Sequence, residues 1–596
     1  MAEKTVEPSK SMNLLGLSLL AVLIGVVAGL GAVVFRGLIA LFHNILFLGK
    51  FSVIYDANSH TPLGPWGPLI ILVPVVGAFG VAFLVKNFAP EAKGHGVPEV
   101  MDAIYYNNGV IRPIVAVIKS VASALSIGSG GAIGREGPII QIGASFGSTM
   151  GQVLKMSTWQ RITLIAGGAG GGIAATFNTP VGGILFAVEI MLHEVSVRTL
   201  VPVAISTATA TYVGRLVFGP HPSFMIPNFQ QTYFNLTNPW VLLLYVGLGI
   251  LMGVVSALYI KSIYGFEDFF EHKIKGNYYT RHMLGMLVVG VLMYVMMVAF
   301  GHYYIQGVGY AAVQDILTNN LSAIFLLLLL FVLKLLTVSL TLGSGASGGI
   351  FSPGLFMGAT LGGAYGILLQ NIFPGLNINP AAFAVAGMAG AIGGSTGAAM
   401  AGIVMIFEMT MDYRVIIPMT VTVALADGVR RMLSNETIYT LKLVRRKHSM
   451  PEALQANFYQ MKQASLIMNA SFQLVEESLT VSEFWSVLKE NPNVSNFILQ
   501  DSRGEVSGVV TNDVALRTFR DAHDNTPILD LAVVDYFTAQ EETKLFHIIS
   551  GMASTSSHIA LIVDKQGESS AENVRGIITK EQVTQTMEQS FQIFSD

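Results

Sequence analysis

The chain has 596 residues, of which 52% are hydrophobic and 12% charged, with a mean hydropathy of +0.58. Soluble chains carry about 25% charged residues, so most of this one is built to face lipid, and it is too long for one ordinary domain. A formal net charge of −3 gives no reason to expect a nucleic-acid partner, and the absence of cysteine excludes disulfides, cysteine zinc sites and iron–sulfur clusters.

Met1–Lys10 is short and polar. The apolar stretch Met12–Leu48 is far longer than the hydrophobic region of a signal peptide and predicts a retained, tilted membrane helix. Further apolar segments fall at about 66–86, 110–127, 137–154, 160–176, 181–192, 199–218, 238–262, 282–303, 321–342, 351–371, 381–395, 398–410 and 414–432. A spanning helix needs about 20 apolar residues. Several of these segments are shorter and end in glycine clusters. Irregular backbone at membrane depth survives only where protein buries it or a water-filled cavity meets it. Broken helices therefore point to a transport pathway rather than an anchor. Glycines such as Gly167–Gly172 read as helix-packing contacts.

The segments form two halves. Gly128, Ser129, Gly130, Gly134 and Pro138 match Gly343, Ser344, Gly345, Gly349 and Pro353 at one offset (353 − 138 = 215), which Lys119 and Lys334 share. GGILFAVE ending at Glu189 and AGIVMIFE ending at Glu408 form a second pair. Two repeats with broken helices in corresponding places are the sequence pointer to a transporter-like fold with its site at the repeat interface. The symmetry of Glu189 and Glu408 favours a structural role, such as hydrogen bonding at a helix end, over proton transfer.

Two nucleotide motifs are excluded by context. Gly343–Gly348 fits GxGxxG formally, but an apolar run long enough to span a membrane precedes it. In the other half, Arg135-Glu136 stands where a phosphate-binding loop needs Lys-Ser/Thr.

Arg445, Arg446 and Lys447 follow the last apolar segment, so the positive-inside rule places the C-terminus in the cytosol. The tail carries its own echo: FILQDSRG before GVVT at Gly508, and ALIVDKQG before GIIT at Gly576. Each reads as strand, turn, strand, then helix, giving a pair of small α/β modules.

These features resemble the CLC family of chloride channels and proton-coupled chloride exchangers. Gly134-Arg135-Glu136-Gly137-Pro138 is similar to the family's GREGP motif, and Gly349-Ile350-Phe351-Ser352-Pro353 to its GxFxP motif. Gly94-His95-Gly96-Val97-Pro98 sits where the family has GSGIP, and Tyr439 matches its anion-coordinating tyrosine. The resemblance covers about residues 12–445, and the tail resembles a CBS-domain pair. It implies an all-α polytopic membrane domain (1–445) with two repeats of broken helices, followed by a cytosolic α/β CBS pair (446–596). It also implies a homodimer in a plasma membrane of the bacterial inner-membrane type, with chloride or another small anion, and protons, as transported partners.

The physical logic of the motifs agrees. The first N–H groups of a helix lack internal partners, and the helix dipole adds about half a positive charge. Glycine lets the backbone approach an ion, and proline costs nothing in the first turn. The amides of Ile350 and Phe351 are the expected donors, with the Tyr439 hydroxyl on the cytosolic side. Glu136 is the acid inside the first motif. A carboxylate drawn to the same helix ends competes with the anion, and the family's gating glutamate matches it.

Three departures from the family pattern matter. His95 replaces the serine that helps set anion preference; its ring either donates to the anion or points away, leaving the Gly96 and Val97 amides to bind. Ile190 stands where many exchangers carry an internal glutamate, so proton coupling is absent or uses another route, with Glu189, His193 and Glu194 nearby. In the tail, Val514 and Gln582 occupy the places where nucleotide-binding CBS modules have aspartate, and Asp513 comes one residue early. No cofactor is expected, and a dimerising or conformational role is expected in place of nucleotide binding. The expected function is anion transport gated by Glu136, possible as anion/proton exchange, with a proton-uncoupled channel as the alternative and a nonconducting membrane sensor behind it. No nucleophile–base or metal-ligand constellation marks an enzyme.

Overall fold

The computed structural model describes residues 12–192, 195–225, 239–376, 378–448, 463–492, 494–511, 525–555, 557–564 and 570–584. It divides into two compact units, Met1–Met450 and Pro451–Asp596.

The first unit is helical. Its elements are α1 (Leu14–Leu48), α2 (Val73–Phe88), α3 (Val97–Tyr105), α4 (Ile114–Gly128), α5 (Glu136–Val153), α6 (Thr158–Phe177), α7 (Pro180–Phe186), α8 (Val197–Phe218) and α9 (Pro239–His272). The second half continues with α10 (Tyr278–Phe300), α11 (Tyr310–Leu317), α12 (Ile324–Ser344), α13 (Phe351–Ile372), α14 (Pro380–Thr396), α15 (Ala399–Thr410), α16 (Ile416–Leu433) and the short α17 (Thr440–Arg445). Among the described residues, seven helical stretches are long and apolar enough to cross a membrane. α1 shows how such a helix is delimited: the Asn13 side chain accepts the Gly16 amide at its start, and Gly49 ends it in the left-handed conformation. The segment expected at 238–262 runs on to His272, where Asp268 pairs with Arg445 at 2.8 Å.

Glycine explains how closely the helices pack. α5 meets α6 at Gly143 and Gly168, where an added Cβ on either would come within 2.1–2.2 Å of the other's carbonyl oxygen. α13 meets α14 in the same way at Gly358 and Gly387, at 2.3 Å. Small residues that let helix backbones touch are the usual means of association in lipid, where no hydrophobic force acts between helices.

The second unit holds two three-stranded sheets, of order β1-β2-β3 and β4-β5-β6. β1 (Phe472–Glu476), α18 (Val481–Glu490), β2 (Asn496–Gln500) and β3 (Val506–Thr511) form the first module. β4 (Tyr536–Ala539), α19 (Leu545–Ser554), β5 (Ile559–Val563) and β6 (Val574–Thr579) form the second. In each, the first two strands are parallel and the last two antiparallel. The expected strand–turn–strand echoes are β2–β3 and β5–β6; a parallel strand and a helix precede each pair. The modules share one core, in which Ile498 and Val509 of the first meet Leu561 and Ile577 of the second.

Candidate anion site and gate

Paired contacts hold the two halves together around a local two-fold. Gly134 and Gly349 exchange both backbone hydrogen bonds, at 2.7 and 2.6 Å. The Glu189 carboxylate accepts the amides of Met400 and Ala401 at the start of α15, at 3.0 and 2.7 Å. Glu408 accepts those of Val181 and Gly182 at the start of α7, at 3.1 and 2.7 Å. Each glutamate thus caps the helix of the opposite repeat, where the dipole favours negative charge. Lys119 donates to the carbonyls of Ala92 and Gly94, and Lys334 to those of Ile305 and Gly307, so each buried ammonium fixes a loop.

These loops bring three helix N-termini to one place. Gly94 is stitched to the loop before the GxFxP motif: its amide donates to Ala346 and its carbonyl accepts from Gly348. Gly96 has φ +87°, which glycine tolerates, and from it Val97 and Pro98 open α3. An added Cβ at Gly137 would lie 2.0 Å from the His95 carbonyl oxygen and 3.2 Å from Gly349 Cα, so backbone from all three motifs meets at that glycine. Ile350 precedes α13 and Phe351 opens it; among the described residues neither amide has an acceptor. The Ile350 carbonyl is held by the Tyr259 hydroxyl at 2.9 Å.

Tyr439 stands at the start of α17. Its neighbour Ile438 donates its amide to Ser395 at 2.9 Å and accepts the Tyr264 hydroxyl at 2.7 Å. Buried Arg430 secures the same segment, donating to the carbonyls of Gly394, Ser434 and Asn435 while paired with Asp427. The Tyr439 hydroxyl has no hydrogen-bond partner among the described residues, and its ring lies 5.9 Å from that of His95. The His95 Nε2 is 3.4 Å from the Tyr264 hydroxyl, and its buried Nδ1 has no partner among the described residues. The imidazole therefore lies between the two tyrosines.

Glu136 is 1% exposed. Its Oε2 accepts the Ser352 amide at 3.2 Å, in the first turn of α13, and its Oε1 accepts the hydroxyls of Tyr310, at 2.9 Å, and Ser352. The two hydroxyls are themselves 2.7 Å apart. Gly134 makes room for the carboxylate, since a Cβ there would fall 2.1 Å from Oε2. The carboxylate therefore occupies the helix end that an anion would use.

Arg135 is placed differently from the other motif residues. Its guanidinium lies over the rings of Phe177 and Tyr310, at 5.5 and 5.3 Å, and faces a separate cavity. Sequence reasoning missed Tyr310 and Ser352 as partners of the gate. Ser352 lies inside the GxFxP motif. Tyr310 is the counterpart of Val97, since Lys119 and Lys334 bind their loops at an offset of 307 − 94 = 213. That two-residue slip from the main repeat hid it. Ile190 is buried in a π-helical turn, Ala187–Leu192; His193 and Glu194 lie outside the described residues.

In the tail, Gln582 closes a helix cap: its Oε1 accepts the Thr579 amide at 2.8 Å. It offers no carboxylate for ribose hydroxyls. Asp513 and Val514 lie outside the described residues.

The family model described as voltage gated chloride channel matches residues 76–431. An H(+)/Cl(−) exchange transporter ClcA from Yersinia pseudotuberculosis is 32% identical over 431 residues, which cover 72% of this chain and 87% of the relative. The crystal structure of a slow cyanobacterial Cl−/H+ antiporter is similar with a TM-score of 0.63 at 26% identity, covering 73% of this chain and 99% of that one. A eukaryotic CLC transporter shares the fold over 96% of this chain, with a TM-score of 0.61 at 21% identity. With three helix ends converging on one point and a buried glutamate at one of them, this multi-pass membrane chain belongs to the voltage-gated chloride channel, or CLC, family.

Proposed function

We propose that this protein moves chloride, or a similar small inorganic anion, across a membrane in exchange for protons, with Glu136 as both gate and proton acceptor. The observation that carries the reading is the Glu136 carboxylate hydrogen-bonded to the first turn of α13. An anion and this carboxylate compete for the same N–H groups. Protonation removes the charge that holds Glu136 there and frees the helix end. The amides of Ile350 and Phe351, those of Gly96 and Val97, and the hydroxyl of Tyr439 then form the anion's path, with Gly94, Pro98, Gly134, Gly137 and Gly349 giving the backbone its close approach. His95 adds a ring N–H beside Tyr439. Arg135 acts from the far cavity, as a fixed positive charge rather than a ligand. The named exchangers among the relatives support proton coupling.

The basic run Arg445–Lys447 supports a cytosolic C-terminus. We assign the chain to a bacterial-type inner membrane as a homodimer, with a tail that acts conformationally and binds no nucleotide. Ile190 favours the second reading, a proton-uncoupled anion channel, because an isoleucine cannot relay a proton. Purified protein in chloride-loaded liposomes separates the readings. Chloride efflux with stoichiometric, uphill proton uptake is expected. Efflux without proton movement would favour a channel or an uncoupled carrier, and no flux would overturn both.

A further inference from the structure

Arg36, on α1, and Arg135 line the same two cavities. The larger has a volume of about 110 Å³ and is also lined by Arg215, Asn178, His221 and Asp56. It lies on the face remote from Arg445: α10 starts beside α9, whose Asp268 binds Arg445, and ends at the loop whose Gln306 lines the smaller cavity.

The charges here are not balanced by the protein. Arg135 is 7% exposed, and its Nε has no partner among the described residues. Neither the Arg36 nor the Arg135 guanidinium makes a hydrogen bond or ion pair among the described residues. Both rest instead on aromatic faces, Arg36 on Phe218 at 4.3 Å and Arg135 on Phe177 and Tyr310. A cation–π contact holds each guanidinium over a ring without using its N–H groups. Arg215 spends its Nε on Asn178. The Asp56 carboxylate is turned into its own loop, accepting the Asn58 amide at 3.0 Å and the Ser59 hydroxyl at 2.7 Å. Three guanidiniums thus face one engaged carboxylate.

A buried cation without an acceptor is costly, and the N–H fork of a guanidinium matches two oxygens of one anion. The volume far exceeds the roughly 10–15 Å³ that one water needs. A halide offers a single centre, whereas a tetrahedral oxyanion presents a separate pair of oxygens to each fork. We propose that this cavity is a binding site for a tetrahedral oxyanion of the sulfate or phosphate class, held between Arg36 and Arg135 and distinct from the gated site. Its occupant opposes transport, because Tyr310 forms part of the cavity wall and also holds Glu136. The inhibitory half rests on the transport reading above; the binding half does not.

The test titrates sulfate calorimetrically into the purified full-length protein at fixed ionic strength, and then follows chloride efflux from liposomes with sulfate added. Wild type binds sulfate and is slowed by it. Arg36→Gln binds at least tenfold more weakly and resists the block, with unchanged efflux in the absence of sulfate. Arg36→Lys, which keeps the charge without the fork, falls between the two and guards against a folding artefact. No sulfate binding by wild type, or equal binding by Arg36→Gln, overturns the site; wild-type affinity in Arg36→Lys overturns the fork argument. Binding lost in Arg36→Gln with no chloride flux from either protein keeps the site and rejects the transport reading.

Discussion

Replacing Tyr310 by phenylalanine removes one hydroxyl and little else. That hydroxyl donates to Glu136 Oε1 at 2.9 Å, beside the Ser352 hydroxyl on the same oxygen and the Ser352 amide on the other. A hydrogen bond to a charged acceptor contributes about 1.5–3 kcal/mol. Each 1.4 kcal/mol is tenfold, so the hold of the carboxylate on the α13 end weakens about 10- to 150-fold. Chloride competes for that end, and its apparent affinity is reduced by the fraction of molecules in which the end is free. Tyr310→Phe should therefore tighten apparent chloride binding, by up to that factor where the end is almost fully occupied by the carboxylate, measured calorimetrically on purified protein at alkaline pH. In a Glu136→Ala background no carboxylate remains to be released. There the same substitution should change chloride affinity by less than about twofold, the scale of independent sites. An unchanged affinity in the native background, or an equal shift in both, would refute the latch.

Three further substitutions and one ligand probe other parts of the structure. Glu189→Gln and Glu408→Gln each weaken a two-amide cap and should cost about 1–3 kcal/mol, seen as a lower thermal midpoint in detergent, with the proton-to-chloride ratio unchanged. A changed ratio with an intact midpoint would instead put these carboxylates on a proton path. Gly137→Ala drives a methyl group to 2.0 Å from the His95 carbonyl oxygen. Backbone cannot swing aside as a side chain can, so folded protein on gel filtration should fall steeply; a normal yield with normal flux would contradict the three-motif junction. AMP or ATP should leave the thermal midpoint of the full chain unmoved, and a saturable rise would reverse the reading of Gln582.

The sequence carried the membrane segments and the motifs because both are local signals: long apolar runs, and glycine and proline at fixed spacing. It also carried the equivalence of Glu189 with Glu408 and of Lys119 with Lys334. It did not carry what these pairs touch. Each glutamate caps a helix more than 200 residues away, which only the folded two-fold discloses. The short helix α11 escaped because eight residues give little periodicity, and with it went Tyr310. Arg135 shared a motif with Glu136, yet neighbours at a helix start point in different directions, one to the α13 end and one to the far cavity. In the tail, turns rich in Gly and Asp marked β2–β3 and β5–β6, while the parallel strands β1 and β4 carried no turn signal.

The central claim is that one carboxylate gates the anion and carries the proton. Recording chloride and proton fluxes together from liposomes containing wild type or Glu136→Gln tests it most directly. Wild type should show uphill proton movement driven by a chloride gradient. In Glu136→Gln, chloride flux should persist, independent of pH and without proton movement. Coupled, pH-dependent exchange in Glu136→Gln would contradict the claim.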